Sequence, residues 1–141
     1  MNQHWEQFEA GQKHKRPVRW LWQRLTRGYD DRDVYDLDEA LVRFAYPRLK
    51  HFITWQCDHG MSCPPSLDPA AWLEVLRKIE KAFDIQAGRL GLYGLEETKA
   101  PTPAEWTEES YQKWLDTINE EDKQIKEGIE LFGKYLLDLF G

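Results

Sequence analysis

Apolar residues recur along this chain at steps of three and four, the spacing that collects them on one face of an α-helix. No stretch alternates with a period of two between turn signals, so no strand is predicted. The expected fold is all-α: a compact single-domain bundle of four or five helices, parted by Pro- and Gly-marked breaks. Residues 1–15 are polar around isolated Trp5 and Phe8, a stretch expected to fray or to form a short helix. Pro17 opens the basic, aromatic run PVRWLWQRLTR, since proline suits a first helical turn. Gly28 is placed to end that helix in a left-handed conformation.

The next helix has a capping-box-like start, Asp36 with Glu39 three residues on. Its apolar positions are Leu37, Ala40, Leu41, Phe44, Ala45, Leu49, Phe52 and Ile53. Pro47 falls inside and is expected to kink it. Residues 57–67 read as a loop, after which Asp68 caps a helix with Pro69 at its first position. Trp72, Leu76, Ile79 and Phe83 form its predicted buried stripe, with Leu73 and Ala82 beside it and Arg77, Lys78 and Lys81 in water. Gly88, Gly91, Gly94 and Pro101 mark residues 86–101 as a long mobile loop. Thr102, Pro103 and Glu105 repeat the helix-start signal. The stripe that follows runs Trp106, Tyr111, Trp114 or Leu115, Ile118, Ile125, Ile129, Phe132, Leu136 and Leu139. Asp122 interrupts it, so a break near 119–122 and two helices are expected. Gly128 and Gly133 cost about 1 kcal/mol each inside a helix, which suggests another backbone packed close to them.

Composition adds two features. The 141 residues suit one domain, divided here into a basic, aromatic segment at 1–26 and a helical domain at 27–141. Aromatics make up 13%, with seven tryptophans, which excludes general disorder. Trp72, Trp106 and Trp114 fall on predicted stripes, whereas the spacing assigns Trp5, Trp20, Trp22 and Trp55 to no stripe. Charge is uneven: residues 1–27 carry six basic groups against two acidic, +4, while residues 96–141 carry five against twelve, −7. Such polarity fits head-to-tail contact between copies or an uneven solvated surface. The net charge of −6 argues against general nucleic-acid binding. No apolar run reaches the roughly 18 residues of a membrane span, and the first twenty residues lack the apolar core of a secretory signal. Two cysteines fit a reducing cytoplasm.

Three clusters are candidates for chemistry. Residues 27–38, RGYDDRDVYDLD, hold five aspartates and two arginines. Oxygen-rich clusters suit Mg²⁺ or Ca²⁺, but the EF-hand spacing is missing and a capped turn explains the acids more simply. Asp38 would pair with Arg27 or Arg32 if the turn folds back. His51, Cys57, His59 and Cys63 offer zinc ligands at a spacing that matches no common zinc pattern. Two thiols in a loop are the simpler account. Trp20, Trp22, Arg24 and Arg27 interleave rings with cations, as a base- and phosphate-binding surface does; a core tryptophan beside solvated arginines is the plainer alternative. No P-loop, Rossmann glycine fingerprint or G-x-S-x-G elbow occurs, and Glu108-Glu109 and Glu120-Glu121 do not make an E-E-x-x-E pattern.

The run from Arg27 to Asp38 resembles the "RGYsdrDvWsLD" signature of a family of small tailed-bacteriophage proteins. PRLK from Pro47 to Lys50, WLEVLRKI from Trp72 to Ile79 and EGIELFGKYL from Glu127 to Leu136 are similar to further stretches of that family, in the same order. Tyr35 stands where the family usually has Trp, and Ile79 where it has Met. The resemblance implies an all-α phage accessory protein in the cytoplasm of the infected host. It carries no established activity and therefore no catalytic residue.

The expected function is non-enzymatic: sequestration of a small anionic, nucleotide-like ligand to counter host defence, with no cofactor or metal. The ligand-side residues are Trp22, Arg24, Arg27, Tyr29 and Arg32, with Asp33 and Asp38 orienting the arginines. The alternatives are an inhibitor of a host enzyme acting through the acidic helical face, or a metal-dependent nucleotide hydrolase. A site between subunits of a homo-oligomer is open to a helical protein of this size.

Overall fold

A computed structural model describes residues 17–140. The expectation of fraying or a short helix around Trp5 and Phe8 lies outside the described residues. Those residues are all-α, with no strand and five helices: α1 (Pro17–Arg27), α2 (Asp31–Tyr35), α3 (Leu37–His59), α4 (Pro69–Arg89) and α5 (Glu108–Tyr135). A short 3-10 turn, Leu136–Asp138, follows α5. They fall into two units that divide between Ala40 and Leu41, within α3.

In the first unit the local rules written into the sequence are met one after another. Gly28 ends α1 at φ +82°, and its amide donates to the Arg24 carbonyl at 3.0 Å. Asp30 then caps α2, accepting from the Arg32 amide at 2.9 Å, while Asp33 accepts from the Asp30 amide at 3.2 Å. This reciprocal box lies six residues before the Asp36–Glu39 spacing that the sequence flags. α3 starts directly after Asp36, as expected.

In the second unit the core is apolar. α4 supplies Trp72, Leu76, Ile79, Ala82 and Phe83, all buried, with Arg77, Lys78 and Lys81 exposed, as the stripe predicts. Each large side chain so buried contributes about 1.5–3 kcal/mol. Asp68 accepts from the Ala71 amide at 2.7 Å and sets the first turn of α4. α3 buries Val42, Tyr46, Leu49 and Ile53. Leu41 and Phe44, expected on that face, are exposed instead. The buried line is Val42, Tyr46, Leu49 and Ile53, whose steps of four, three and four form a face that leaves Leu41 and Phe44 outside; Tyr46 goes inward with its hydroxyl donating to Asp84 at 2.6 Å, and the Arg48 guanidinium covers the exposed Phe44 ring at 4.0 Å. The helix continues through Pro47 to His59, two residues beyond the expected start of the loop.

α5 packs along α4 as one continuous helix. The expected break near 119–122 does not occur. Asp122 is an ion-pair partner: Arg89 holds it at 2.7 Å and holds Glu121 at 3.1 Å. The helix starts at Glu108, capped by a Thr107–Ser110 box, and not at the Thr102 signal, where a turn bonded from Glu105 to Thr102 forms. Trp106 therefore falls before the helix and is 58% exposed, off the stripe on which the spacing places it. Tyr111, Ile129 and Leu136 are exposed as well, while Trp114, Ile118, Ile125 and Phe132 are half-buried. Gly128 does mark a close approach, since a Cβ there would lie 2.3 Å from the Ala82 Cβ and 2.6 Å from the Lys78 carbonyl oxygen. Gly133 faces open space. Edge-to-face rings, Trp72 on Tyr135 and Phe83 on Phe132, complete the seam. Within residues 86–101, α4 runs on to Arg89, Leu92 is buried, Tyr93 donates to the Arg43 carbonyl at 2.9 Å and Thr98 donates to Glu121.

Candidate interaction site

The polar candidates converge in the first unit. α1 carries arginines on one side, and the tight turn at Gly28 lays the aspartates of α2 against them. Asp30 is fully buried and stands at the centre. Arg32 grips it with two donors, Nη2 at 2.8 Å and Nε at 3.1 Å, and Arg24 Nε adds a third bond at 2.7 Å. Arg24 Nη2 reaches on to Asp33 at 3.2 Å. Asp31 is held by Arg27 at 2.6 Å, Gln23 at 2.8 Å and Arg19 at 3.2 Å, and its own amide donates to Gln23 at 3.1 Å. Two guanidinium groups also lie against rings: Arg32 over Trp20 at 4.1 Å and Arg27 over Tyr29 at 4.6 Å.

Charge-assisted bonds of this kind favour the ionised carboxylate. The Arg32 side chain holds the Asp30 carboxyl down to about 2, against the ordinary 3.8, with help from the Arg32 amide and Arg24 and against the opposing effect of burial. Gln23, then Arg27, lower Asp31 in the same way. The hydrogen bond to Asp30 raises Arg32 further. The cluster is therefore an ionic clasp between α1 and α2, with its cations already bound to its own carboxylates.

The other side of α1 is apolar. Val18, Leu21, Trp22 and Leu25 follow steps of three, one and three, so they share one face, and they are 78%, 59%, 67% and 74% exposed. Val34 and Leu37 are exposed too. Asp30 is the one buried residue among the described residues of this unit. Its polarity is the reverse of an ordinary helical core: a carboxylate inside, aliphatic and indole side chains outside.

Of the residues nominated from the sequence, the structure brings Arg24, Arg27, Tyr29, Arg32 and Asp33 together. Trp22 points to the apolar face instead, and Trp20 carries the ring contact. Asp38 is exposed on the first turn of α3 and orients none of the arginines; Asp30 and Asp31 take that part, because they follow the Gly28 turn directly. Sequence reasoning passed over Asp30, Asp31, Arg19 and Gln23. The signal for the first was the Asp-x-x-Asp box after Gly28. For the apolar face it was the 18/21/22/25 spacing set against Arg19, Gln23 and Arg27.

The thiol and imidazole candidates do not assemble. Cys57 is exposed, Cys63 packs against the core and His59 stacks on Trp55 at 3.7 Å. Among the described residues no three His, Cys, Asp or Glu side chains are grouped to hold a metal ion. No helix among them is long and apolar enough to cross a membrane. No protein-family model, curated protein or solved structure matches the chain.

Proposed function

We propose that this is a non-enzymatic interaction protein that docks through the apolar face of α1 onto a protein surface. One observation carries it: Val18, Leu21, Trp22 and Leu25 stand exposed at the i, i+3, i+4 and i+7 positions by which an amphipathic helix anchors in a hydrophobic groove. Four side chains of this size expose on the order of 500 Å² together, as large as the patches that mark interaction sites. The Asp30 clasp supports docking by holding α1 as a helix before it meets a partner, which lowers the ordering cost of binding. The resemblance to tailed-phage proteins supports a setting in the cytoplasm of an infected bacterium, where the groove belongs to a host or phage protein.

The test is capture from a bacterial lysate with the native chain and with Leu21→Asp/Leu25→Asp. Specific capture by the native chain alone supports docking; the same proteins on both contradict it.

A second reading, sequestration of an anionic, ring-bearing ligand, is favoured by Arg32 over Trp20 and Arg27 over Tyr29. It stands lower because Asp30, Asp31 and Asp33 already accept from these arginines, so a phosphate has to displace them. Mixing the protein with a panel of nucleotides, denaturing it and analysing the supernatant separates the cases. Intact ligand released on heating supports sequestration. No binding tighter than about 0.1 mM, roughly −5.5 kcal/mol, removes it.

A further inference from the structure

We infer that Tyr93 is a latch: its hydroxyl fills the hydrogen-bond gap that Pro47 leaves in α3, and so holds the strap of residues 90–98 closed. The device stands apart from α1, since all its residues belong to the second unit. The gap follows from covalent chemistry. In an α-helix each carbonyl accepts from the amide four residues on. For Arg43 that residue is Pro47, which has no N–H and whose ring crowds the Arg43 carbonyl. α3 nevertheless runs on through this point, so the carbonyl takes a donor from outside the helix. The Tyr93 hydroxyl supplies it at 2.9 Å, from 50 positions along the chain.

The strap is strained where this bond is made. Tyr93 lies at φ +57°, the one non-glycine residue with a positive φ among the described residues. A tyrosine keeps such a conformation only where its contacts impose it. Two contacts do: the bond to Arg43, and the ring, whose centroid lies 5.6 Å from that of Tyr46. The strap is fixed on either side, by buried Leu92, whose amide donates to the Ala87 carbonyl at 2.9 Å, and by Thr98, which donates to Glu121. Tyr93 itself is 52% exposed, so water competes for its hydroxyl. Release lets the residue relax to negative φ and lifts the middle of the strap. That uncovers Tyr46, whose hydroxyl donates to Asp84 and accepts from Lys50. It also moves one wall of a cavity of about 140 Å³ between Asp84, Arg89, Leu95, Thr98 and Glu121. Backbone strain set against one exposed hydrogen bond makes the strap a two-state element that closes over this polar recess.

The experiment is amide hydrogen exchange on the full chain, comparing the native protein with Tyr93→Phe, Pro47→Ala and the double variant. Tyr93→Phe keeps the ring and removes the hydroxyl. It is expected to speed exchange over residues 90–98 about fivefold, the factor that one ordinary hydrogen bond supplies, and to leave α5 unchanged. Pro47→Ala gives the Arg43 carbonyl a helical donor of its own and so takes the partner from Tyr93. It is expected to loosen the strap by a similar factor while α3 stays helical. The double variant is expected to exchange no faster than either single one, because both substitutions break the same bond.

Unchanged strap exchange in Tyr93→Phe overturns the latch, since ring packing alone then holds the strap. A strap left unchanged by Pro47→Ala, or effects that multiply to about 25-fold in the double variant, overturns the link between Pro47 and Tyr93. Faster exchange in α5 as well as in the strap overturns the inference by showing a general loss of stability in place of a local opening.

Discussion

The two units of this chain solve the same problem in opposite ways. The second unit hides Trp72, Leu76, Ile79, Ile53 and Phe83 and leaves its charges outside. The first hides Asp30 and leaves Val18, Leu21, Trp22 and Leu25 outside. Hydrophobic burial of about 25 cal/mol per Å² is enough to explain the second unit. Among the described residues of the first, no apolar side chain is buried. That unit is held by a cap, a glycine turn and charge-assisted bonds, and its apolar area remains available for contact with something else. The difference teaches that amphipathic spacing alone does not reveal which face a helix packs with: α4 buries its apolar face, whereas α1 turns its exposed arginines onto the aspartates of α2.

Substitutions can break that comparison, beginning with the largest. Trp72→Ala removes a fully buried indole from the second unit and is expected to cost about 3–5 kcal/mol, read as a loss of midpoint in urea unfolding. A cost below about 1 kcal/mol would mean that the second unit has no tight core.

Asp30→Asn should weaken the first unit by about 1–3 kcal/mol, because Arg24 and Arg32 lose their shared carboxylate, a cost moderated by their partial exposure. Hydrogen exchange should rise over residues 17–35 and stay unchanged in α4 and α5. The same residue sets an acid limit. Its folded value, about 2, lies below the ordinary 3.8, so its contribution is complete above about pH 4, shrinks as the pH falls and is lost below about pH 2. That contribution is about 2 kcal/mol. In the Asn variant the acid dependence of exchange in residues 17–35 should flatten; an unchanged dependence would show that Asp30 does not hold the clasp.

Gly128→Ala is expected to cost about 1–2 kcal/mol even though alanine favours helix, since its Cβ meets Ala82 and the Lys78 carbonyl at 2.3 and 2.6 Å. Gly133→Ala, with open space, should instead stabilise by up to about 1 kcal/mol. Thermal melting of the pair checks the contrast, and equal effects of one sign would count against the α4–α5 seam.

What was legible in the sequence follows the range of the forces involved. α1, its end at Gly28, the Asp68–Pro69 start and the α4 stripe rest on local signals and fixed periodicity, and all stand where the spacing places them. The continuity of α5 was not legible, because the residue that accommodates Asp122 is Arg89, 33 positions away. Nor was the inward turn of Tyr46, which depends on Asp84 from another helix. Trp106 misled for a related reason: two capping signals lie five residues apart, and the later one, at Thr107, starts the helix. The arginine–aspartate cluster was visible as composition. Its burial around Asp30 was not, since pattern rules take charged residues to be outside.

The central claim is that the α1 apolar face is surface held ready for a partner and not core. Thermal unfolding of Leu21→Asp/Leu25→Asp, at a dilution where no association occurs, tests it most directly. Exposed positions away from special contacts change stability by within about 0.5 kcal/mol, so a melting temperature within about 2 °C of the native chain is predicted. A drop of about 8 °C or more, as two buried carboxylates would produce, would contradict the account by showing that the face is packed inside.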